Sequence, residues 1–338
     1  MKILAIRLSA IGDVVNTLPA IHAIRKNYPN CWISFLVEDK AKDLVKNHPD
    51  IDEAIIYDRK KWFSSPIKCI NGISEYLDML RTIRLKKFDI VLDFQGNIKS
   101  SIPLVLSCAH KRAGFARGFN YEYTDIFTNI HITPKDLRQL RVDKFMSLLS
   151  SIGIINSLPE YAFPDCSKND EITETFLKDN AITVKRYLVL HPGTSKFGEE
   201  KKWSLENYKI LALKVVSDLN IKIIVTWGPD EYKLAKQVCS VNPANVIMSF
   251  NTKSLLDLVS ILKKSIAFVG ADTGPMHLAS ASGISCVALF GPKDPAIYGP
   301  HGKGHRIISK NKNGSGDVNQ ITADDVFINI KEIINKTI

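Results

Sequence analysis

The sequence predicts an α/β protein made of two Rossmann-like, doubly wound parallel-sheet domains facing a central cleft. Three observations predict it. Short apolar runs, long enough for buried strands, alternate with segments of helical periodicity along the whole chain. That series is interrupted once, near residues 154–167, where Pro159 and Pro164 stand in a stretch of little periodicity. At 338 residues the chain has room for two domains of about 150 residues each.

Taken in order, Lys2–Leu8 reads as a buried strand, Ile11-Gly12-Asp13 as its turn and Val14–Asn27 as a helix. Trp32–Val37 and Glu53–Tyr57 are strands flanking a short helix at Ala41–Asn47. Glu75–Leu85 is helical, "FDIVLDFQG" is a strand and its turn, and Arg112–Phe115 is another short strand. Lys135–Ile152 reads as one long helix, with Leu137, Leu140, Val142, Phe145, Leu148 and Leu149 as its apolar stripe. After the linker, Tyr187–Leu190, Ile221–Val225, Val246–Met248, Ile266–Val269 and Val287–Phe290 are strands. Leu205–Asp218, Glu231–Cys239, Ser254–Lys263 and Met276–Ser282 are the helices between them. Thr322-Ala323-Asp324-Asp325 resembles a capping box. The expected boundaries are 1–160, 168–320 and a terminal helix at 322–338 that packs back on the first domain.

Composition narrows the class. An apolar content of 45% supports sizeable cores, and no run approaches the 18 or so apolar residues of a membrane span. Arg7 and Asp13 interrupt the apolar start, which lacks a small-residue cleavage site and so does not read as a signal peptide. Six scattered cysteines without a C-x-x-C pair point to reduced thiols in a cytoplasmic protein rather than disulfides or zinc. The net charge of +10 is concentrated: residues 59–117 hold 12 Lys/Arg against 4 Asp/Glu. This suggests a phosphate-bearing partner or an anionic membrane surface, unless it is merely a solvated face. No nucleic-acid-binding signature accompanies it.

Ligands in doubly wound sheets sit beyond the carboxyl ends of the strands, so the loops after Leu8, Phe94, Leu190, Thr226 and Val269 carry the candidates. In "SIAFVGADTGPMHLASASGISCVALFGPKDP", Asp272-Thr273-Gly274-Pro275 starts a small-residue helix whose N–H groups suit a phosphate, with His277 one turn on. A capped turn without a ligand, and a structural histidine, are the plain alternatives. Asp13, after Gly12, either caps the first helix or serves as a general base. Neither G-x-G-x-x-G nor a P-loop is present. In "HPGTSKFGEEKKW", Thr194, Ser195 and Lys201 can meet phosphate oxygens, with Lys202 the rival lysine. Trp203 reads as a packing residue. In "TWGPDEY", Asp230 or Glu231 can accept from ribose hydroxyls or simply start a helix. His301 and His305 lack a third ligand at useful spacing, so no metal site is expected.

Together, "RLSAIGDVVNTLPAI", "HPGTSKFGEEKKW" and "GADTGPMHLASASG…ALFGPKDP" resemble glycosyltransferase family 9, the bacterial lipopolysaccharide heptosyltransferases. The likeness runs from Met1 past Pro300. "DRKKWFSSPIK" and "FDIVLDFQGNIKS" are most similar to the type I members, whereas "PGTSKFG" is closer to type II. The resemblance implies a GT-B fold and an inverting transfer from ADP-L-glycero-D-manno-heptose that needs no metal or other cofactor. It implies Kdo-lipid A as acceptor, at the cytoplasmic face of the inner membrane. A type II enzyme acting on heptosyl-Kdo2-lipid A, a nucleotide-sugar epimerase and a non-catalytic nucleotide-binding module are the alternatives. Asp13 falls at the family's catalytic carboxylate. Thr194, Ser195, Lys201, Glu231, Asp272, Thr273, Gly274 and His277 fall at its donor positions. In this reading Lys201 also assists the leaving diphosphate. Arg59, Lys60, Lys61, Lys99 and Arg117 are expected to meet the anionic acceptor and the membrane.

Overall fold

The computed structural model describes the chain apart from residues 64–65, 121, 195, 311–313 and 338, and apart from the side chains of 60, 63, 66–71, 196–197 and 337. Ser195 therefore lies outside the described residues, as does the side chain of Lys60. The chain divides into two compact units, Met1–Asp165 and Cys166–Ile338.

The first unit is a six-stranded parallel sheet of β1 (Lys2–Ile6), β2 (Trp32–Glu38), β3 (Glu53–Tyr57), β4 (Ile90–Asp93), β5 (Lys111–Phe115) and β6 (Ile130–Ile132). Its order is β3-β2-β1-β4-β5-β6. The central strands are continuous apolar runs because helices cover both faces, so every side chain of Ile3–Ile6 is buried. The helices are α1 (Ile11–Asn27), α2 (Arg59–Phe63), α3 (Pro66–Leu85), α4 (Ile98–Leu106) and α5 (Arg141–Ser147).

The second unit repeats the plan with β7 (Tyr187–His191), β8 (Lys222–Val225), β9 (Val246–Met248), β10 (Ala267–Ala271), β11 (Ser285–Phe290) and β12 (Arg306–Ser309), in the order β12-β11-β10-β7-β8-β9. Its helices are α6 (Ser167–Asp179), α7 (Leu205–Leu219), α8 (Tyr232–Cys239), α9 (Leu255–Lys263), α10 (Gly274–Ala281), α11 (Pro295–Tyr298) and α12 (Ala323–Thr337). Both sheets reverse strand order beside their first strand, between β1 and β4 and between β7 and β10. Such switch points open a crevice at the carboxyl ends of the strands.

Several expectations need correction. The helix read over 135–152 begins only at Arg141, because Leu140 is extended (ψ 144°), and it tightens to a 3-10 turn over Leu148–Ile152. Leu137 is exposed, so the true apolar stripe is Val142, Phe145, Leu148 and Leu149. Gly153, at φ 82°, closes the turn where a side chain would be strained. Residues 41–47 are likewise not an α-helix; a 3-10 helix spans Asp39–Leu44. In the terminal helix, Val326, Ile330, Ile333 and Ile334 bury their stripe in the second unit's core beside Val215 and Leu211. Strands β6 and β12 and helix α6 were not foreseen. The two strands are short, polar-punctuated sheet edges, and α6 buries little beyond Thr173 and Leu177.

Candidate active site

In the first unit the β1 loop runs into α1, which begins at Ile11, so Asp13 lies within the first helical turn. There a carboxylate is favoured by the helix dipole, and its Oδ2 accepts the Ala10 N–H at 3.2 Å. The larger influence is a pair of guanidiniums. Arg7 Nη2 lies 2.5 Å from Asp13 Oδ2, and Arg141 Nη1 lies 3.1 Å from Oδ1. Burial would push Asp13 up, but Arg7 and Arg141 outweigh it and hold the carboxyl below the usual carboxylate range. The side chain keeps 20% of its surface exposed, so the ionised carboxylate remains reachable.

Arg7 is anchored in turn. It donates to the Phe94 carbonyl at 2.6 Å and stacks over the Phe145 ring at 5.0 Å. Its neighbour Lys144 donates to the Phe119 carbonyl at 2.5 Å, and burial together with Arg141 and Arg7 brings it down to about 8. Across the switch point, Asp93 accepts the Gln95 N–H, the Gly96 N–H and the Ser100 hydroxyl, fixing the β4 turn.

In the second unit three adjacent strands, β10, β7 and β8, deliver the candidates. Lys201 Nζ lies 2.7 Å from Asp272 Oδ2, and His277 Nε2 lies 3.5 Å from Oδ1. Burial would raise Asp272, but His277 and Lys201 outweigh it and hold its carboxyl low. Thr273 is the N-cap of α10, with extended backbone (φ −140°, ψ 169°), and Pro275 stands in the first turn. Pro275 has no N–H, and those of Met276 and His277 bond the Thr273 carbonyl at 3.1 and 3.3 Å, so the Gly274 N–H is the donor this helix start opens beside a fixed ammonium.

Beyond β7 and β8, Glu231 turns inward. It accepts the Gly228 N–H at 2.6 Å and lies 3.5 Å from His191 Nε2. His191 is buried, and burial prevails over Glu231 in lowering it, so the ring stays neutral. A Cβ on Gly193 would come within 1.9 Å of the Glu231 carboxyl carbon, which is why this position has no side chain. The Thr194 hydroxyl is buried and has no hydrogen-bond partner among the described residues. A buried hydroxyl of that kind suits a ligand oxygen. We predict that Gly193→Ala displaces Glu231 from the Gly228 N–H and lowers stability by about 1.5–3 kcal/mol, the worth of a hydrogen bond to a charged group, read by thermal denaturation.

The chain belongs to glycosyltransferase family 9. The family model, described as glycosyltransferase family 9 (heptosyltransferase), matches residues 76–324. The chain is 27% identical to lipopolysaccharide heptosyltransferase 1 of Escherichia coli O18:K1:H7, with 99% of each chain covered. It superposes on the E. coli heptosyltransferase WaaC solved with ADP at a TM-score of 0.79, with 25% identity, 98% of this chain and 100% of that one. E. coli ADP-heptose LPS heptosyltransferase II shares the fold at a TM-score of 0.78 and 20% identity, with 100% and 99% covered. The expected α/β, GT-B class holds, and this family 9 chain is a glycosyltransferase.

Against the sequence-derived site, the structure brings Lys201, Asp272, Thr273, Gly274 and His277 together and sets Thr194 and Glu231 in the loops that follow the neighbouring strands β7 and β8. It also separates the two lysines: Lys201 reaches the buried Asp272, whereas among the described residues Lys202 reaches the exposed Glu199, at 3.6 Å. Asp230 is exposed, and Trp203 is a core residue donating to the Ile321 carbonyl. The expected acceptor cations stand at the carboxyl edge of the first sheet but are partly neutralised. Lys61 pairs with Glu75 at 2.7 Å, Lys99 with Glu38, and Arg117 with Asp125 at 3.3 Å, while Arg59 is exposed.

Arg7, Arg141, His191 and Gly193 escaped the sequence reading. Arg7 had a signal: a cation inside a buried strand needs a carboxylate partner, and Asp13 is the nearest downstream. Arg141 had none, because its contact depends on how α5 packs along α1.

Proposed function

We propose that this glycosyltransferase transfers L-glycero-D-manno-heptose from ADP-heptose to a Kdo hydroxyl of Kdo-lipid A, building the inner core of lipopolysaccharide. The reaction inverts the anomeric centre and uses no metal. The observation that carries the reading is Asp13, a carboxylate kept ionised at the switch point of the first unit in a family 9 chain. The lysine and helix start at the corresponding point of the second unit complete the required set.

The acceptor hydroxyl attacks the anomeric carbon, its proton passes to Asp13, and the bond from that carbon to the diphosphate oxygen breaks. Two guanidiniums make Asp13 a weak base, which suits a proton transfer that proceeds only as the new C–O bond forms. The charge arriving on ADP is met by Lys201, the Gly274 N–H at the start of α10, His277 and the hydroxyls of Thr194 and Ser195. Glu231 takes the ribose hydroxyls. Arg59, Lys60, Lys61, Lys99 and Arg117 meet the carboxylates and phosphates of the acceptor at the inner face of the membrane.

Heptosyl transfer to heptosyl-Kdo2-lipid A, the type II reaction, is the second reading, favoured by the "PGTSKFG" loop. Incubating the enzyme with ADP-heptose and either acceptor, then weighing the products, separates the two. We expect one heptose added to Kdo2-lipid A, at a rate unchanged by EDTA. Addition only to the monoheptosylated acceptor would favour the second reading, and loss of rate in EDTA would remove metal independence.

A further inference from the structure

Helix α4 buries Leu104 in the core but carries a second, outward apolar face. Its serines face the protein, with Ser100 fully buried and Ser101 4% exposed. Their hydroxyls are spent on the Asn97 carbonyl, and Ser100 also on Asp93. Four of its large apolar side chains face outward: Ile98 is 57% exposed, Ile102 40%, Val105 42% and Leu106 38%. Spaced i, i+4, i+7 and i+8, they form one stripe. The stripe does not end at the helix. α4 packs along α3, which exposes Ile73 and Leu77, and against the 3-10 turn Thr124–Phe127, which exposes Ile126. A helix that buries hydroxyls and exposes isoleucines gains nothing from water, and contiguous apolar surface of this kind marks an interaction site.

The charge around it selects the partner. Of the cations in the segment 59–117, Lys61, Lys99 and Arg117 are paired with Glu75, Glu38 and Asp125 and so do not count toward this face. On α3, Arg81 and Arg84 are exposed and have no carboxylate at ion-pair distance among the described residues. An apolar stripe rimmed by unpaired cations matches a bilayer with anionic headgroups: side chains enter the acyl boundary while cations meet phosphates. No helix among the described residues is long and apolar enough to cross a membrane, so contact of this kind lies at the surface.

We propose that the outward face of α4, with its neighbours on α3 and the Thr124–Phe127 turn, inserts into the surface of an anionic lipid bilayer. The inference rests on the proposed lipid acceptor but assigns the contact to apolar side chains that touch no part of the donor site. It is tested with the full chain and vesicles of phosphatidylcholine containing either no phosphatidylglycerol or about a third of it. The wild type is expected to co-sediment with the anionic vesicles only. Ile98→Ser/Ile102→Ser is expected to lose binding about tenfold, from the apolar area withdrawn, with an unchanged circular dichroism spectrum. Its ADP affinity stays the same, as does its transfer rate to a delipidated, water-soluble Kdo acceptor. Arg81→Gln/Arg84→Gln should weaken binding at low salt and matter less at high salt. Vesicle binding that is unchanged in the serine variant overturns the proposal. So does a wild type that ignores vesicles and instead dimerises in light scattering through this face. Failure of transfer to the soluble acceptor in the wild type would count against the proposed reaction and leave the bilayer result to be read separately.

Discussion

Asp13→Asn is expected to lower the transfer rate by about 10²–10⁴-fold, the range for removing a positioned base, while ADP binding is kept. The amide preserves shape but neither accepts the proton nor balances Arg7 and Arg141, which stand 2.5 and 3.1 Å away. Stability should fall as well, because a nearly buried guanidinium left without its partner costs about 3–5 kcal/mol. Rates must therefore be read well below the variant's melting temperature, with ADP calorimetry as the control for folding. The pH profile offers an independent check. Asp13 is held below the usual carboxylate value, so the active, deprotonated form persists down to mildly acidic pH. The acid limb of kcat/KM in the wild type should lie below the usual carboxylate range. Wild-type turnover in the Asn variant removes Asp13 as base.

Lys201→Ala is the second large effect. Stabilising charge on a leaving group with a preorganised cation is worth about 10²–10³ in rate, and the lysine sits 2.7 Å from a carboxylate that is itself nearly buried. Without the ammonium, Asp272 keeps the His277 ring, at 3.5 Å, as its ion-pair neighbour among the described residues. Its carboxyl then rises. Because the folded value is depressed in the wild type, Asp272 contributes stability above the unfolded value and loses it only as pH falls through the folded one. The variant should therefore unfold at higher pH during acid titration. Lys202→Ala, which removes only an exposed i,i+3 pair with Glu199, should change neither rate nor acid stability measurably. Equal losses in the two variants would show that Lys201 has no special place.

The alternation of strands and helices was legible because buried parallel strands leave unbroken apolar runs, as in Ile3–Ile6 and Leu188–Leu190. The donor turn was legible for a local reason: Asp272-Thr273-Gly274-Pro275 carries its own capping chemistry, and a helix start announces itself within four residues. What escaped was whatever depends on tertiary approach. Leu137 keeps helical spacing with the α5 stripe yet stays in water. Arg141 reaches Asp13 from 128 positions away, and Gly193 lacks a side chain only because Glu231 arrives from another strand. The surface charge misled in a different way. Counted along the chain it is a basic patch, but Glu75, Glu38 and Asp125 quench much of it in place. The apolar face of α4 went unseen because no helix was assigned to residues 98–106, where Asn97 supplies the cap.

The central claim is a direct displacement in which Asp13 takes the acceptor proton as ADP departs toward Lys201. Its most direct test is the anomeric configuration of the product. The enzyme is incubated with ADP-heptose and Kdo2-lipid A, and the new linkage is read by nuclear magnetic resonance. The account predicts a heptosyl linkage inverted relative to the donor, formed in the presence of EDTA and absent with Asp13→Asn. Retained configuration, or release of free heptose with no lipid product, would contradict it.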